Sequence, residues 1–286
     1  MHSLFVEPFH TGFMQRALIE VVVLGILGGV VGVHVLLRRL AFLTEVVQHT
    51  VFPGIAVAFA AGQSLLVGAV LSGLVSIVLF TLAARRPRLD PDAVLAVLIA
   101  TFLAVGVVVV SRGTGFQSDL NALLFGRILT VGHREVIETA LIAAAVIAGL
   151  LLLHKELVMR AFDPTGSAAL GYSPLLLDLV VNLAVMLTIV AAVRAVGTVL
   201  IVAFIVTPAA AARLVSSRVP VMMVVAAALA SVCGWLGLII SYKGSVDHGW
   251  RLASGASIVL VITFGFVVAA AVRGARRVAS RRRVAA

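Results

Sequence analysis

The sequence predicts an all-α polytopic membrane protein, and three observations support this fold class. Of the 286 residues, 62% are hydrophobic and only 12% are charged, whereas soluble domains average roughly 45–50% apolar and about 25% charged residues. Mean hydropathy is +1.19, and apolar windows long enough to cross a bilayer recur along the chain. Disordered chains have low hydrophobicity, so the apolar content excludes that class. A disulfide scaffold needs many cysteines, and this chain has one.

Nine apolar windows of about 20 residues, the length that spans a hydrocarbon core, follow one another in a single transmembrane domain over residues 1–286. Charged or turn-rich segments separate the predicted spans, which are 17–37, 41–60, 64–84, 92–111, 134–155, 174–192, 195–216, 219–242 and 254–273. Between the sixth and seventh windows only Arg194 interrupts the apolar run, so eight spans are the alternative. Residues 1–16 lack the basic start of a secretory signal and are expected to lie at the membrane interface.

The distribution of Lys and Arg predicts the side that each loop faces, because these residues accumulate in cytoplasmic loops. When nine spans alternate, most of the 22 basic residues fall on one side, near residues 38–39, 85–88, 155–160 and 213–218 and in the tail 274–286. We therefore expect an external N-terminus and a cytoplasmic C-terminus in the inner (cytoplasmic) membrane of the cell. The basic tail is interpreted as a topological anchor beside the lipid bilayer, and no nucleic-acid partner is expected.

The second span contains the strongest candidate site. Glu45 and His49 are four residues apart, which places them on one helical face, and Pro53 deprives the His49 carbonyl of its helical N–H partner. The flexible residue Gly54 follows. A carboxylate, an imidazole and a free carbonyl suit manganese, zinc or iron(II), whereas copper(I) favours Cys and Met. The residues alone leave open a second interpretation, in which Glu45 reaches the interface and His49 hydrogen-bonds within the bundle.

Other intramembrane polar residues give weaker signals. Asp247 and His248 are adjacent in the last external loop, where they could reach the mouth of a pore or simply be solvated. Glu20 lies at the outer end of the first span, where it could face a cavity, and the expectation is a position among the headgroups. Asp178 and Asn182 are again four residues apart, and we expect interhelical hydrogen bonds from them.

Small residues and a second proline mark close helix packing. Gly25 with Gly29, and Gly28 with Gly32, have the four-residue spacing that lets helices approach closely. Pro208 interrupts a late span, and paired interrupted helices are typical of binding sites in membrane transporters.

The chain is not expected to be catalytic by itself. It contains neither the phosphate-binding pattern G-x-x-x-x-G-K-[ST] nor the zinc-binding pattern H-E-x-x-H, and it has no long extramembrane segment. Any use of ATP must therefore come from a partner subunit.

The inner loop 163–172 is a candidate docking segment for such a partner. An aspartate and a proline can start a short helix here, residues 166–170 would form it, and a glycine can end it. Two alanines offer small side chains that suit a groove on another subunit. An ordinary connecting loop is the alternative. The residues concerned are Asp163, Pro164, Gly166, Ala168, Ala169, Leu170 and Gly171.

Together, these segments resemble the permease subunit of the manganese/zinc/iron ABC importers, the metal-chelate permease family, over almost the whole chain. The likeness is carried by FMQRALIEVVVLGILGGVVGVHVLLRRLAFLTEVVQHTVFPGIAVAF, SDLNALLFGRIL, AFDPTGSAALGYSP, VRAVGTVLIVAFIVTPAAAARL, and GLIISY followed by SGASIVLV. The sequence departs from the family pattern at Glu45, where Asp is common, at Thr44, where Gly is common, and in the inserted GSVDHGWRL. These departures lie where selectivity could be set, so the metal is not identified.

The resemblance implies a permease homodimer that works with two copies of a cytoplasmic ABC ATPase and with an external or periplasmic metal-binding protein. ATP would bind to the ATPase, and the permease would hold no permanent cofactor, only the transported divalent metal ion. By the same likeness, loop 163–172 becomes a coupling helix, and Glu45 and His49 become the ion contacts. Asp247 and His248 would serve either as entry ligands or as a gate.

The expected function is import of a divalent transition metal by alternating access. One alternative is a permease of the same architecture for a siderophore or corrinoid, which would need a wider and less charged cavity. The other is a proton-coupled secondary metal transporter that uses Glu45 as its proton site.

Overall fold

The computed structural model describes residues 9, 11–86, 88–112, 126–248 and 253–284. Within these residues the long elements are helices, which confirms the predicted all-α class. They are α1 (Gly12–Leu37), α2 (Ala41–Ala60), α3 (Leu65–Ala83), α4 (Pro91–Arg112), α5 (His133–Leu152), α6 (His154–Phe162), α7 (Pro164–Ala169), α8 (Pro174–Val196), α9 (Thr198–Val215), α10 (Val219–His248) and α11 (Ser254–Val284).

Eight helices in the described part of the chain are long and apolar enough to cross a membrane, and α9 adds a shorter apolar segment, Ile201–Val215. The predicted separation of the sixth and seventh spans is present, but its position differs. The chain turns at Gly197 rather than at Arg194. Gly197 has a φ of +86°, a conformation that glycine adopts readily because it has no Cβ.

Helix α1 packs closely against α10 along one of its two glycine faces. Gly25 lies against Ser231, and Gly29 lies against the backbone of Ala227, where a Cβ atom would overlap the neighbouring chain. The two helices run in opposite directions, because higher residue numbers on α1 face lower numbers on α10. The expectation of close packing at Gly25 and Gly29 is thus confirmed.

The other glycine face of α1 packs against α9. Gly28 lies against Phe204, and a Cβ atom at Gly32 would overlap the carbonyl oxygen of Ile205. Residue numbers rise together along this contact, so α1 and α9 are parallel. Pro208 is buried within α9, one turn beyond Phe204, and the helix continues through it.

Loops predicted to face the cytoplasm meet at one end of the bundle, which we call the basic end. Arg38 follows α1, and its Nη1 atom donates to Oδ1 of Asp178 in α8 at 2.9 Å. Arg160 of α6 donates from Nη2 to the other carboxylate oxygen of Asp178, also at 2.9 Å. Arg273 donates to the carbonyl oxygen of Arg213 at 3.2 Å. The expected alternation of the spans is consistent with these contacts.

The last two helices extend beyond their predicted spans. Helix α10 continues to His248, so residues 243–248 are helical and the prediction of a loop there was wrong. Residues 243–248 contain no proline that would end the helix. The whole of α10 has 30 residues and is about 45 Å long, which exceeds the hydrocarbon core of about 30 Å. Helix α11 likewise carries the basic tail to Val284.

The N-terminal lead-in is partly helical. Helix α1 begins at Gly12, so residues 12–16 of the predicted interfacial segment belong to it, while residues 1–8 and 10 lie outside the described residues. Arg16 donates from Nε to the carbonyl oxygen of Val131 at 3.2 Å, at the end of the bundle opposite the basic end.

Glu20 lies inside the bundle, so its predicted position among the headgroups was wrong. Only 2% of the residue is exposed, and it accepts a hydrogen bond of 2.8 Å from Oγ1 of Thr139 in α5. Because burying a carboxylate without hydrogen bonds is costly, this contact fixes α5 beside α1. His34, on the same helix, is fully buried.

Candidate functional site

Helix α2 brings together the two residues of the predicted site. It begins at Ala41, directly after the turn at residues 38–40, so its first turns lie close to the basic end. Glu45 and His49 follow on successive turns, and Nε2 of His49 lies 3.2 Å from Oε1 of Glu45. A carboxylate and an imidazole thus form one adjacent pair within a helix long enough to cross a membrane.

This pair lies on the side of α2 that faces away from the core of the protomer. The Glu45 side chain is 41% exposed and that of His49 is 39% exposed, whereas Val46 and Val47 between them are fully buried. A charged group facing lipid is costly, and intramembrane ionisable residues therefore face a water-filled cavity or another protein surface. The exposed face of α2 must therefore lie beside a water-filled cavity or another protein surface.

Helix α2 continues through Pro53 without a break. Gly54 lies directly against Gly68 of α3, where either glycine would overlap the other backbone if it carried a Cβ atom. Ser72 of α3 donates its hydroxyl hydrogen to the carbonyl oxygen of Thr50, and serine side chains commonly supply such bonds beside membrane prolines. The structure thus gives Gly54 a packing role, and a pathway role for Pro53, Gly54 and Pro208 stays a prediction.

The described residues contain no cluster of three or more His, Cys, Asp or Glu side chains that could hold a metal ion. Asp247 and His248 lie at the C-terminal end of α10, and because α10 is antiparallel to α1, this is the end opposite Glu45 and His49. Their side chains lie outside what the structure describes. One chain therefore brings together two candidate ligands, Glu45 and His49.

The predicted short helix in loop 163–172 is present as α7, Pro164–Ala169. Asp163 precedes it, and its Oδ1 atom accepts hydrogen bonds from the backbone N–H of Gly166 at 2.8 Å and from Oγ1 of Thr165 at 2.9 Å. These bonds favour the charged carboxylate and lower the pKa of Asp163 below its ordinary value. Gly171 ends the segment with a φ of +84°.

Helix α7 presents a small apolar surface at the basic end. Ala168 and Ala169 are exposed, and 66% of Leu170 is exposed, while Ser167 is buried against the protein. Helix α7 follows α6, which is joined to α8 by the Arg160–Asp178 ion pair. The surface therefore projects from a segment that is attached to the membrane helices.

Sequence reasoning did not predict the ion pairs of Asp178. It treated Arg38 and Arg160 as topological charges, and the structure joins both to this one carboxylate. A signal was present, because an aspartate at the start of an apolar span needs a nearby cation. Asn182 makes the expected interhelical contact, donating to Oγ1 of Thr81 at 3.0 Å.

Comparison with known proteins gives consistent matches over most of the chain. The model of the ABC 3 transport family matches residues 10–273. The manganese transport system membrane protein MntC of Listeria innocua is 32% identical over 258 residues, which cover 90% of each protein. The chelated iron transport system membrane protein YfeD of Yersinia pestis is 30% identical, over 94% of this chain and 88% of the relative.

A solved structure shows the same architecture. One chain in the structure of PsaBC from Streptococcus pneumoniae in complex with Fab is 29% identical to this protein and superimposes with a TM-score of 0.83, over 94% of this chain and 95% of that chain.

Proposed function

Because the chain belongs to the ABC 3 transport family, we propose that it is the membrane-spanning permease of an ATP-driven importer of divalent transition metal ions. The names of two relatives refer to manganese and to chelated iron. The observation that carries the proposal is the contact between Glu45 and His49 on the exposed face of α2.

The chemistry of this pair suits the proposed substrate. Carboxylate oxygen and imidazole nitrogen together bind manganese, iron(II) and zinc, whereas soft metals favour sulfur. A partly exposed position allows an ion to exchange with water, as a transport site requires. The proposal therefore covers the class of divalent ions that Glu45 and His49 can share.

A second protomer would complete the site. Divalent transition metals in proteins are usually held by four or more ligands, and one chain supplies two within the described residues. In a two-fold symmetric dimer, facing α2 helices would bring two Glu45–His49 pairs to the symmetry axis. The same arrangement would cover the charged face of α2, which lipid cannot solvate.

Partners would bind at the two ends of the bundle. The basic end would face the cytoplasm, following the rule for Lys and Arg, and α7 would contact one of two ATPase subunits there. An external metal-binding protein would deliver the ion at the opposite end, which holds the start of α1. ATP can drive the switch between the two faces only if nucleotide binding favours one conformation over the other.

Uptake into proteoliposomes tests this proposal. Vesicles that contain the permease and its ATPase, with the external metal-binding protein outside, should accumulate manganese, zinc or iron(II) only with hydrolysable ATP inside. A protonophore should not abolish this uptake. Uptake that persists without the ATPase and collapses with the protonophore would instead assign a proton-coupled transporter. Uptake of ferric chelates but of no free divalent ion would also contradict the proposal.

A further inference from the structure

The basic end of the bundle contains a cavity of about 950 Å³ that is separate from the Glu45–His49 pair. It lies between the end of α1, the starts of α2, α4 and α8, the end of α3, and α6. Neither Glu45 nor His49 lines it. Ligand sites in proteins commonly have volumes of about 300–1,000 Å³, so the cavity is large enough for a small polar group.

Positive charge predominates in the lining of this cavity. Four arginines contribute to it, against two aspartates. One of these aspartates, Asp178, is already paired with Arg38 and Arg160. Arg39 and Arg85 are exposed and form no ion pair with any residue that the structure describes. A cation would be repelled here, whereas an anion would be attracted.

Arg38 lines the cavity and is only partly satisfied by its own hydrogen bonds. Its side chain is only 9% exposed, and its Nη1 atom donates to Asp178 and to the carbonyl oxygen of Leu177. Its Nε and Nη2 atoms are buried and have no hydrogen-bond partner among the described residues. Because buried charged donors without an acceptor are unfavourable, the charge of an anion held beside Arg38 would offset part of this cost.

We infer that this cavity binds the phosphate of an anionic phospholipid headgroup. Guanidinium groups match phosphate oxygens in bidentate hydrogen bonds, and basic pockets between membrane helices bind anionic headgroups on the cytoplasmic side. Arg38 directly follows α1 and Arg85 closely follows α3, so both lie where the hydrocarbon core gives way to headgroups. The inference does not depend on the transported ion.

A headgroup in this position would contact the segment that holds α7. Arg160 belongs to α6, which leads through Asp163 into α7, and it shares Asp178 with Arg38. A phosphate bound between these arginines would therefore link the lipid leaflet to the position of α7.

Native mass spectrometry of the permease–ATPase complex tests the inference with phosphatidylglycerol and phosphatidylcholine as probes. The test variant combines Arg39→Asn with Arg85→Gln, since asparagine tolerates the φ of +58° at residue 39. An arginine that contacts an anionic headgroup contributes about fivefold to its binding, so loss of two such arginines should weaken retention of phosphatidylglycerol about 30-fold. Phosphatidylcholine should bind weakly to both proteins.

Arg86→Gln is the matched control, because Arg86 is exposed beside Arg85 but does not line the cavity. It should retain phosphatidylglycerol as the wild type does, and all variants should keep the wild-type thermal unfolding midpoint. Equal loss of lipid in Arg86→Gln, or undiminished retention in the double variant, would overturn the inference.

Two further outcomes would reassign the cavity. If inorganic phosphate raises the unfolding midpoint as strongly as phosphatidylglycerol does, the ligand is a soluble phosphate and the lipid assignment fails. If the isolated permease retains phosphatidylglycerol but its complex with the ATPase does not, the ATPase fills the cavity and the assignment also fails.

Discussion

The Nε2 atom of His49 lies 3.2 Å from the Oε1 atom of Glu45, one helical turn earlier on α2. Both side chains are about 40% exposed in the single protomer, although their helix is long and apolar enough to cross a membrane. An ion pathway beside this face would explain why a charged pair is kept there, and a second protomer would supply the remaining ligands.

The packing of α1 against α10 predicts that Gly29→Ala destabilises the protein. A Cβ atom at Gly29 would overlap the backbone of Ala227, and overpacking costs about 1–3 kcal/mol. Thermal unfolding in detergent measures the effect. Gly149→Ala in α5 is the control, because a Cβ atom there meets nothing within 4 Å. A Gly29→Ala midpoint equal to or above that of Gly149→Ala would contradict this packing.

The ion pairs at the basic end predict that Asp178→Asn destabilises the protein by at least about 2 kcal/mol. Breaking a fully buried pair costs about 3–5 kcal/mol, and Asp178 is 29% exposed while Arg38 is 9% exposed. Glu138→Gln provides the comparison, since its partner Arg134 is 92% exposed and such pairs contribute less than about 1 kcal/mol. Chemical unfolding of both variants should separate them, and equal losses would refute the structural role of Asp178.

The N-cap of α7 predicts a difference between two substitutions at Asp163. Asp163→Ala removes the acceptor for the Gly166 N–H and should weaken binding of the ATPase subunit. Asp163→Asn should bind almost normally, because asparagine caps helices as well as aspartate does. Binding of the purified ATPase to permease in nanodiscs measures both. Equal weakening by Asn and Ala would show that the carboxylate charge matters rather than the cap.

The same cap gives a pH dependence of known sign. The folded-state pKa of Asp163 is below its ordinary value, so its stabilising contribution is complete above the ordinary pKa of aspartate, about 3.9. That contribution is lost only as the pH falls through the lower, folded-state pKa. ATPase binding should therefore show no titration from Asp163 near neutral pH. The contrary result would be a change in ATPase binding between about pH 6 and 8 that disappears in Asp163→Asn. It would contradict the lowered pKa of Asp163.

Local sequence signals predicted much of the fold and of the site. The apolar windows predicted where the spans lie along the chain, and the four-residue spacing predicted that Glu45 lies beside His49. Asp163, Pro164 and Gly171 predicted α7, because capping depends on neighbouring residues only. These features could be recognised without knowledge of tertiary structure.

Features that depend on distant residues could not be predicted in this way. Glu20 is buried beside Thr139, a hydrogen-bond donor far along the chain, and Asp178 is held by arginines from two other segments. The end of α10 was missed for a different reason, since hydropathy reports where a helix leaves the hydrocarbon core and not where its hydrogen bonding stops. Hydropathy likewise favoured a break at Arg194 over the turn at Gly197.

Metal uptake by the Glu45→Ala/His49→Ala double variant tests the central claim most directly. In proteoliposomes with the ATPase, ATP inside and the external metal-binding protein outside, uptake of manganese and zinc should fall at least about tenfold. Even residues that only hydrogen-bond to metal ligands contribute about 10–100-fold to metal affinity or activity. The complex should still assemble and hydrolyse ATP. His133→Ala, at an exposed position at the start of α5, should transport normally. Unchanged uptake in the double variant would contradict the assignment of Glu45 and His49 as the ion contacts.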